Sequence, residues 1–324
     1  MHLRTACYPL LLLTALAARA YDPLEAGDAA TPKPLDLVVK DEARKREIPV
    51  LVVLPAGTNA APVVLFSHGL GGTRHGSAYL GRHWAARGYA VVFVQHPGSD
   101  DGVWRGQPVG GRMANMEAAA SPENFLLRVR DVPAVIDQLG VWNTGKDPLL
   151  RGRFDLERIA MTGHSFGAVT TQALAGQNLT GGITCADKRI KAAIMFSPSG
   201  PRRGGADQAF GAVKLPWLLM TGTEDVSLRI GGIDLESRLA AFPAPASGAS
   251  TRWCSTAPGT RPSPNGPCPA RKQAQSQPPP GHPRPLHRVP GRAWLKATPD
   301  ARAWLDGDGP RGVMEKVGDR WQRK

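Results

Sequence analysis

Short apolar runs alternate with helix-compatible runs over residues 35–243, and this rhythm predicts the fold class. The runs 35–40 and 48–54 flank a charged segment, which is typical of a β-hairpin at a sheet edge. The run 62–66 is continuously apolar, as a strand buried on both faces is, and a helix pattern over 79–88 and a strand pattern over 89–95 follow it. Strand, helix and strand in this order predict a doubly wound, mostly parallel α/β sheet with helices on both faces.

The second half of the pattern adds one long helix and further strands. Ser121 and Pro122 are the residue types of a helix N-cap and first turn, so a helix is predicted from there to Leu139. Asp131 within it is expected to make a helix or salt-bridge contact rather than to act in catalysis. Apolar runs at 158–162, 190–196 and 215–220 predict strands. The predicted apolar face of the helix comprises Leu126, Val129, Val132, Val135, Ile136 and Leu139.

A long segment of poor periodicity, residues 96–120, separates the strand pattern at 89–95 from the long helix. In an open α/β sheet such loops lie at the carboxyl ends of strands, where ligands bind. Trp104, Met113 and Met116 could therefore line an acyl pocket. Simple packing or exposure of these three side chains fits the sequence equally well.

Residues 158–171 carry the strongest chemical signal, a short apolar strand that leads through G-H-S-F-G at 163–167 into a helical run. This pattern predicts a nucleophile elbow, in which Ser165 occupies a strained strand-to-helix turn and the next helix points its N-terminus at the hydroxyl. Gly163 and Gly167 are needed there because a Cβ would collide with neighbouring backbone. The alternative is a tight βα turn in another kind of α/β protein.

A second motif, S-H-G-L-G-G at 67–72, follows the strand at 62–66. Acyl transfer requires backbone N–H groups directed at the developing oxyanion, and a glycine-rich turn exposes such donors. We expect the N–H groups of Leu70 and of Phe166, the residue after the nucleophile, to form the oxyanion hole. His68 is expected to brace this loop by hydrogen bonding. Its alternative role, the catalytic base, fits the usual chain order of a triad less well.

An acidic pair follows the strand at 215–220, in the segment T-G-T-E-D at 221–225. A carboxylate at a strand's carboxyl end can orient a histidine and stabilise its imidazolium form. Asp225 is the predicted acid and Glu224 the second choice. An aspartate that merely caps the loop is the remaining alternative.

Residues 1–20 combine a basic end, a short apolar core and an A-x-A site, which predicts a secretory signal peptide cleaved after Ala20. The alternative is a buried N-terminal helix. The apolar run is too short for a permanent membrane crossing. We therefore expect export to a periplasm or to the outside of the cell, without a stable membrane span.

The distribution of charge and the spacing of the cysteines limit the classes of partner that the sequence predicts. The net charge is +13, but residues 246–295 hold seven Lys or Arg and no Asp or Glu, so the rest of the chain carries only +6. The basic stretch has no aromatic interleaving and no nucleic-acid motif, which argues against DNA or RNA binding. Cys7 leaves with the signal, and Cys185, Cys254 and Cys268 lack metal-ligand spacing.

Together these motifs, with Y-D-P-L at 21–24, H-W-A-A-R-G-Y at 83–89 and Q-H-P-G-S-D at 95–100, make the chain similar to bacterial α/β-hydrolases related to platelet-activating-factor acetylhydrolase, often labelled predicted dienelactone hydrolases. The resemblance covers residues 21–243 and resumes near Ala293. It implies an α/β-hydrolase fold and hydrolysis of carboxylic esters, short-chain or acetylated-lipid, with Ser165 and Asp225 in the triad and no cofactor or metal. True dienelactone hydrolases use a cysteine nucleophile, so their substrate is not implied.

Residues 244–292 depart from that family pattern, which calls for a strand, a D-G-x-x-H motif with the base, and a helix. The stretch is proline-rich, basic and aperiodic, and we expect it to be unstructured. His282 and His287 are the only histidines after Asp225, and their proline-rich setting gives no reason to assign either as the base. Residues 293–324 are expected to form a C-terminal helix and tail. A basic partner-binding segment is a further alternative.

A shift of reading frame would explain the anomaly. Reading the codons of 251–272 from the third base of the first permits E-V-V-L-D-G-A-G-H, a strand followed by the missing motif. A second shift at 277 permits a helical pattern that continues into 293–296. We therefore hypothesise compensating single-base insertions or deletions. If the residues are encoded as printed, the protein is expected to be a defective hydrolase, because loss of one triad member leaves only residual catalysis.

Overall fold

A nine-stranded sheet forms the centre of the part of the chain that the structure describes. The computed structural model describes residues 32–227, 230, 232–242, 250–255, 295–312 and 320–323. The predicted signal peptide and His282 and His287 lie outside these residues. The strands are β1 (Leu35–Asp41), β2 (Arg46–Val53), β3 (Ala61–Ser67), β4 (Ala90–Val94), β5 (Phe154–His164), β6 (Ile190–Phe196), β7 (Trp217–Gly222), β8 (Ser250–Ser255) and β9 (Arg320–Arg323).

The helices are mostly short and connect successive strands. Two 3₁₀ turns, Asp101–Val103 and Val109–Gly111, lie in the connection after β4. The α-helices are α1 (Ala78–Ala86), α2 (Arg112–Ala119), α3 (Pro122–Thr144), α4 (Phe166–Leu174), α5 (Ala206–Phe210), α6 (Leu235–Ala240), α7 (Pro299–Asp306) and α8 (Gly309–Gly312).

The strands lie in the order β1-β2-β4-β3-β5-β6-β7-β8-β9. β2 is antiparallel to β1 and β4, and β9 is antiparallel to β8, whereas the pairs between β4 and β8 are all parallel. The strand order reverses between β3 and β5. From β3 the chain continues to β4 on one side of the sheet, and from β5 it continues to β6 on the other side. Ligands of open α/β sheets bind at the carboxyl ends of strands at such a reversal. The ends of β3 and β5 carry the S-H-G-L-G-G and G-H-S-F-G motifs.

Both faces of the sheet are covered, as predicted. Alternate residues of β3 point to opposite faces, so Val63 and Leu65 pack with α3 while Val64 and Phe66 pack with α1. α4 lies on the α3 face, and α7 covers β6 and β7 on the other. A fully buried parallel sheet explains why the central strands are apolar throughout.

The predicted hairpin, the central strands and the long helix are confirmed. β1 and β2 pair in register from Leu35 opposite Val52 to Asp41 opposite Arg46. Ser121 caps α3, since its side chain accepts a hydrogen bond from the Asn124 N–H at 3.1 Å. Leu126 was wrongly placed on the apolar face of α3 and is 42% exposed.

The structure also differs from the expectation after residue 243. A strand was not expected in 244–292, yet β8 pairs in parallel with β7 from Trp217 opposite Ser250 to Gly222 opposite Ser255. The C-terminal part contains the expected helix, α7, and also the unexpected strand β9. Backbone pairing with the exposed edge of β7 explains β8 better than its own sequence pattern does. Residues 256–294 lie outside the described residues.

None of the helices in the described segments combines the length and the apolar content that a bilayer span requires.

Candidate active site

Ser165 occupies the sharp turn between β5 and α4. Its backbone has φ 52° and ψ −111°, a conformation that residues with a Cβ rarely adopt. The turn is fixed from the neighbouring strand, because the Ser165 N–H donates to the Phe196 carbonyl at 2.9 Å. Such strain is maintained only where surrounding structure enforces it, and it occurs preferentially at functional sites.

The two glycines of G-H-S-F-G have the steric role that the sequence suggests. A Cβ on Gly163 would overlap the Gly167 carbonyl, and a Cβ on Gly167 would overlap the Ser67 carbonyl. The N-terminus of α4 therefore rests directly against the ends of β3 and β5. This contact brings the serine turn and the S-H-G-L-G-G loop together.

The loop after β3 bends beside the serine turn, and each of the two segments leaves one backbone donor open. A Cβ on Gly69 would lie 2.9 Å from His164 Nδ1, which shows how closely the two segments approach. Gly71 and Gly72 donate to Ser99 and Gly69 carbonyls at 2.9 and 3.0 Å. The N–H groups of Leu70 and Phe166 make no hydrogen bond to another described residue. These are the two donors predicted for the oxyanion hole.

His68 braces the loop, as predicted. Its Nε2 accepts a hydrogen bond from the His96 backbone N–H at 3.1 Å, so the neutral ring carries its proton on Nδ1. That Nδ1–H donates to the Gly69 carbonyl at 2.6 Å. Burial, the Arg128 charge and His96 hold the pKa of His68 well below its usual range. Both ring nitrogens are thus engaged within the loop, which leaves His68 unsuited to take a proton from Ser165.

Asp225 lies three residues after β7, two strands away from the serine. Its carboxylate accepts a hydrogen bond from Thr221 Oγ1 at 2.9 Å and lies 3.3 Å from the Arg238 guanidinium. Asp225 is close enough to the serine turn to oppose the lowering of the His164 pKa, which burial causes and Arg238 reinforces. Glu224, the second choice, is half-buried, and its carboxylate has no hydrogen-bond partner among the described residues.

No catalytic base accompanies Ser165 in the described part of the chain. The histidines there are at 68, 75, 83, 96 and 164, and none of them hydrogen bonds to the Ser165 hydroxyl. Residues 256–294, which include His282 and His287, lie outside the described residues. The base therefore stays unassigned.

A second serine–histidine–aspartate chain lies beneath the loop and was missed in the sequence. Ser67 Oγ is 2.9 Å from His96 Nε2, and His96 Nδ1 is 3.0 Å from Asp131 Oδ2. All three side chains are fully buried. Arg128 donates to the same Ser67 oxygen at 3.2 Å, so this buried hydroxyl is hydrogen bonded both as donor and as acceptor. This chain is therefore built for support rather than for attack on a substrate.

The charges around this chain explain its protonation. Burial alone raises the pKa of Asp131, but hydrogen bonds from His96 and Arg46 outweigh it and lower the pKa to about 2. Arg44 also donates to this carboxylate, at 3.0 Å. Burial and the Arg128 charge lower the pKa of His96 to about 4, although the hydrogen bond and the charge of Asp131 act in the opposite direction. The prediction of a salt-bridge role for Asp131 is confirmed.

Arg128 is the other residue that sequence reasoning missed. It is fully buried on α3, where its guanidinium donates to Ser99 Oγ and to the His68 carbonyl, both at 2.8 Å. Burial lowers its pKa to about 9, while Asp131 and Asp100 act in the opposite direction, so the charge persists at neutral pH. Arg128 lies four and seven residues before Val132 and Val135, so it shares their face of the helix. This spacing could have indicated from the sequence that Arg128 is buried.

The connection over residues 96–120 lies beside the loop, and its three candidate pocket residues behave differently. Trp104 donates from Nε1 to the Gly71 carbonyl at 2.7 Å. Met116 contacts the same glycine, where an added Cβ would lie 2.6 Å from its sulfur. Met113 is 45% exposed. Trp104 and Met116 therefore support the rim of the site, and α2 gives order to a segment expected to be irregular.

Comparison with known proteins adds no family to this geometry: no protein-family model matches the chain, and no curated protein matches it either. Within the described ranges, no group of three or more His, Cys, Asp or Glu side chains is placed to hold a metal ion. The chemistry of the site is accordingly derived from the serine turn, the loop and the acid.

Proposed function

We propose that this protein is a serine hydrolase of carboxylic esters with the α/β-hydrolase fold. The observation that carries the proposal is the backbone of Ser165, which is held at positive φ between a strand and a helix and next to two open N–H donors. The reversal of strand order at the same place supports a ligand crevice there.

In the proposed reaction the Ser165 hydroxyl attacks the ester carbonyl and its proton passes to a histidine. The carbonyl oxygen becomes an oxyanion, which the N–H groups of Leu70 and Phe166 stabilise. Collapse expels the alcohol, which takes the proton from the histidine, and water then releases the acid from the acyl enzyme. Asp225 would orient the histidine. Short-chain esters and acetylated lipids are the proposed substrates.

A defective hydrolase is the second candidate, and the surroundings of Asp225 favour it. Arg238 is buried, and it donates to the Asp225 and Ser197 carbonyls at 3.2 and 2.7 Å besides pairing with the Asp225 carboxylate. An arginine that already neutralises the acid weakens the acid's ability to stabilise an imidazolium ion. With no base in the described residues, the chain would keep a nucleophile and an oxyanion hole without full turnover.

Labelling with a fluorophosphonate, followed by peptide mass spectrometry, tests the proposal. We expect modification of Ser165 that the Ser165→Ala variant loses and the Ser67→Ala variant keeps. Modification of Ser67 instead would assign the nucleophile to the buried chain and refute the proposed site.

Turnover of p-nitrophenyl acetate separates the two candidates. The chain as printed is compared with one in which residues 251–292 follow the restored frame and therefore contain D-G-x-x-H. We expect turnover of the restored chain to exceed that of the printed chain by roughly 10³-fold or more, the size of a lost triad member. If neither chain is labelled or turns over ester, the proposed function is wrong.

A further inference from the structure

We propose that Arg128 is the positioning residue of the oxyanion hole, an inference that rests on the proposed function. Arg128 is fully buried, so the role proposed for it involves no contact with substrate. It acts on the peptide group that carries the Leu70 donor and on the ring of the residue that carries the second donor, because it contacts both the loop and Phe166.

The loop contacts fix the peptide plane that carries the first donor. The Gly69 carbonyl and the Leu70 N–H belong to one planar trans peptide, so they point in opposite directions. The carbonyl accepts from His68 Nδ1 at 2.6 Å, from the Gly72 N–H at 3.0 Å and from Arg128 Nη2 at 3.4 Å. With its oxygen held inward, the peptide must direct the Leu70 N–H outward.

The neighbouring peptide plane is held in the same way. Arg128 Nη1 donates to the His68 carbonyl at 2.8 Å, the shortest of its bonds to the loop. Adjacent peptide planes fixed by one rigid guanidinium leave the glycine between them little rotational freedom, although glycine is otherwise the most permissive residue.

The second donor is held through an aromatic contact. The guanidinium carbon of Arg128 lies 4.5 Å from the centroid of the Phe166 ring, within the range of a cation–π interaction. Since Phe166 is the first residue of α4, a fixed ring restrains the N-terminus from which its N–H projects. One side chain thereby sets the distance between the two donors.

Arg128 is itself held rigidly from below. Its Nε donates to Ser99 Oγ at 2.8 Å and its Nη1 to Ser67 Oγ at 3.2 Å. Ser67 in turn donates to His96, and His96 to Asp131, which gives the buried charge a hydrogen-bonded path to a carboxylate. A lysine could carry the charge but could not form the planar fork of bonds or stack on the ring.

The test measures the rate constant for fluorophosphonate labelling of Ser165, corrected for the folded fraction from circular dichroism. Arg128→Gln should label about 100-fold more slowly, as loss of an aligned oxyanion donor does. Arg128→Lys should label about 10-fold more slowly than the wild-type protein, since lysine keeps the charge but cannot form the planar fork of hydrogen bonds. Arg153→Gln is the matched control, because Arg153 also donates to carbonyls, those of Pro55 and Gly57, away from the site.

The outcomes separate the two proposals. Labelling of Ser165 with the stated losses, and a change within twofold for Arg153→Gln, supports the role of Arg128. If the folded Arg128→Gln protein, or Arg128→Lys where the former does not fold, labels within threefold of wild type, Arg128 is only a core residue and the proposed function stands. If neither the wild-type chain nor the chain with the restored frame is labelled at Ser165, the proposed function fails, and the role of Arg128 with it.

Discussion

Acidification from pH 7 to pH 4 should destabilise the fold through His96. This residue is fully buried between Ser67 and Asp131 and stays neutral, with its pKa lowered from 6.5 to about 4. In the unfolded chain the same ring binds a proton near pH 6.5. Between these two values the unfolded state binds more protons, so stability is present above pH 6.5 and is lost as the pH falls toward 4.

The size of the loss follows from the difference between the two pKa values. Each pKa unit corresponds to about 1.4 kcal/mol, so His96 alone should account for about 3 kcal/mol across the window. His68 is shifted in the same direction and adds to the effect. Asp131, with its pKa lowered to about 2, contributes a further loss only below about pH 4. Compared with a typical stability of about 5–15 kcal/mol, the loss is large.

Urea denaturation monitored by circular dichroism at pH 7 and pH 4 measures the effect. His96→Gln should lower stability at pH 7 and flatten the dependence on pH, because the titrating group is gone. His75→Gln serves as the control, since the His75 side chain is 51% exposed. A free energy of unfolding that is equal at the two pH values in the wild-type protein would refute the reasoning, as would an unchanged pH dependence in His96→Gln.

Three further predictions concern the serine turn and the gene. Ser165→Gly should be more stable than Ser165→Ala by about 1–3 kcal/mol, because glycine relieves the strain at φ 52° that alanine keeps. Thermal melts of the two variants test this, and a Tm for Ser165→Gly no higher than that of Ser165→Ala would contradict it. Gly167→Ala should lower the free energy of unfolding by at least about 2 kcal/mol in urea denaturation, because its Cβ would overlap the Ser67 carbonyl. Gly110→Ala is the control and should be near neutral, because an added Cβ there has open space around it. Resequencing codons 240–300 should show a continuous frame that encodes D-G-x-x-H, and codons that forbid this reading would refute the frame hypothesis.

Local sequence signals predicted those parts of the fold that local physics determines. The capping of α3 by Ser121 depends on a side chain three residues from its partner, and the strained turn at Ser165 depends on glycines two residues away on either side. The misplacement of Leu126 shows the limit of this reasoning. A helix advances about 100° per residue, so Phe125, four residues before Val129, lies nearer the buried face than Leu126 does.

The supporting network could not be predicted in the same way, because its members are far apart in sequence. Arg128 binds groups at residues 67–69 and 99, and its place on the buried face shows only that it needs partners. Asp131 was expected to pair with a cation, yet the pairing with His96 depends on how β4 and α3 meet. The strands β8 and β9 pair at the edge of the sheet, and the sequence after residue 243 did not predict either of them.

We hypothesise a local change in the reading frame rather than gradual decay, because the serine turn is in place while no base is present among the described residues. Decay would spread substitutions over all the positions that catalysis alone maintains. Ser165 is such a position, because glycine would relieve the strain at φ 52°, yet the serine is in place. The residues proposed for the nucleophile turn and the oxyanion hole precede residue 243, and the base is not among the described residues. A sequence that keeps a strained serine and departs from the family pattern only within one later stretch is the expected product of two compensating shifts of the reading frame that lie close together.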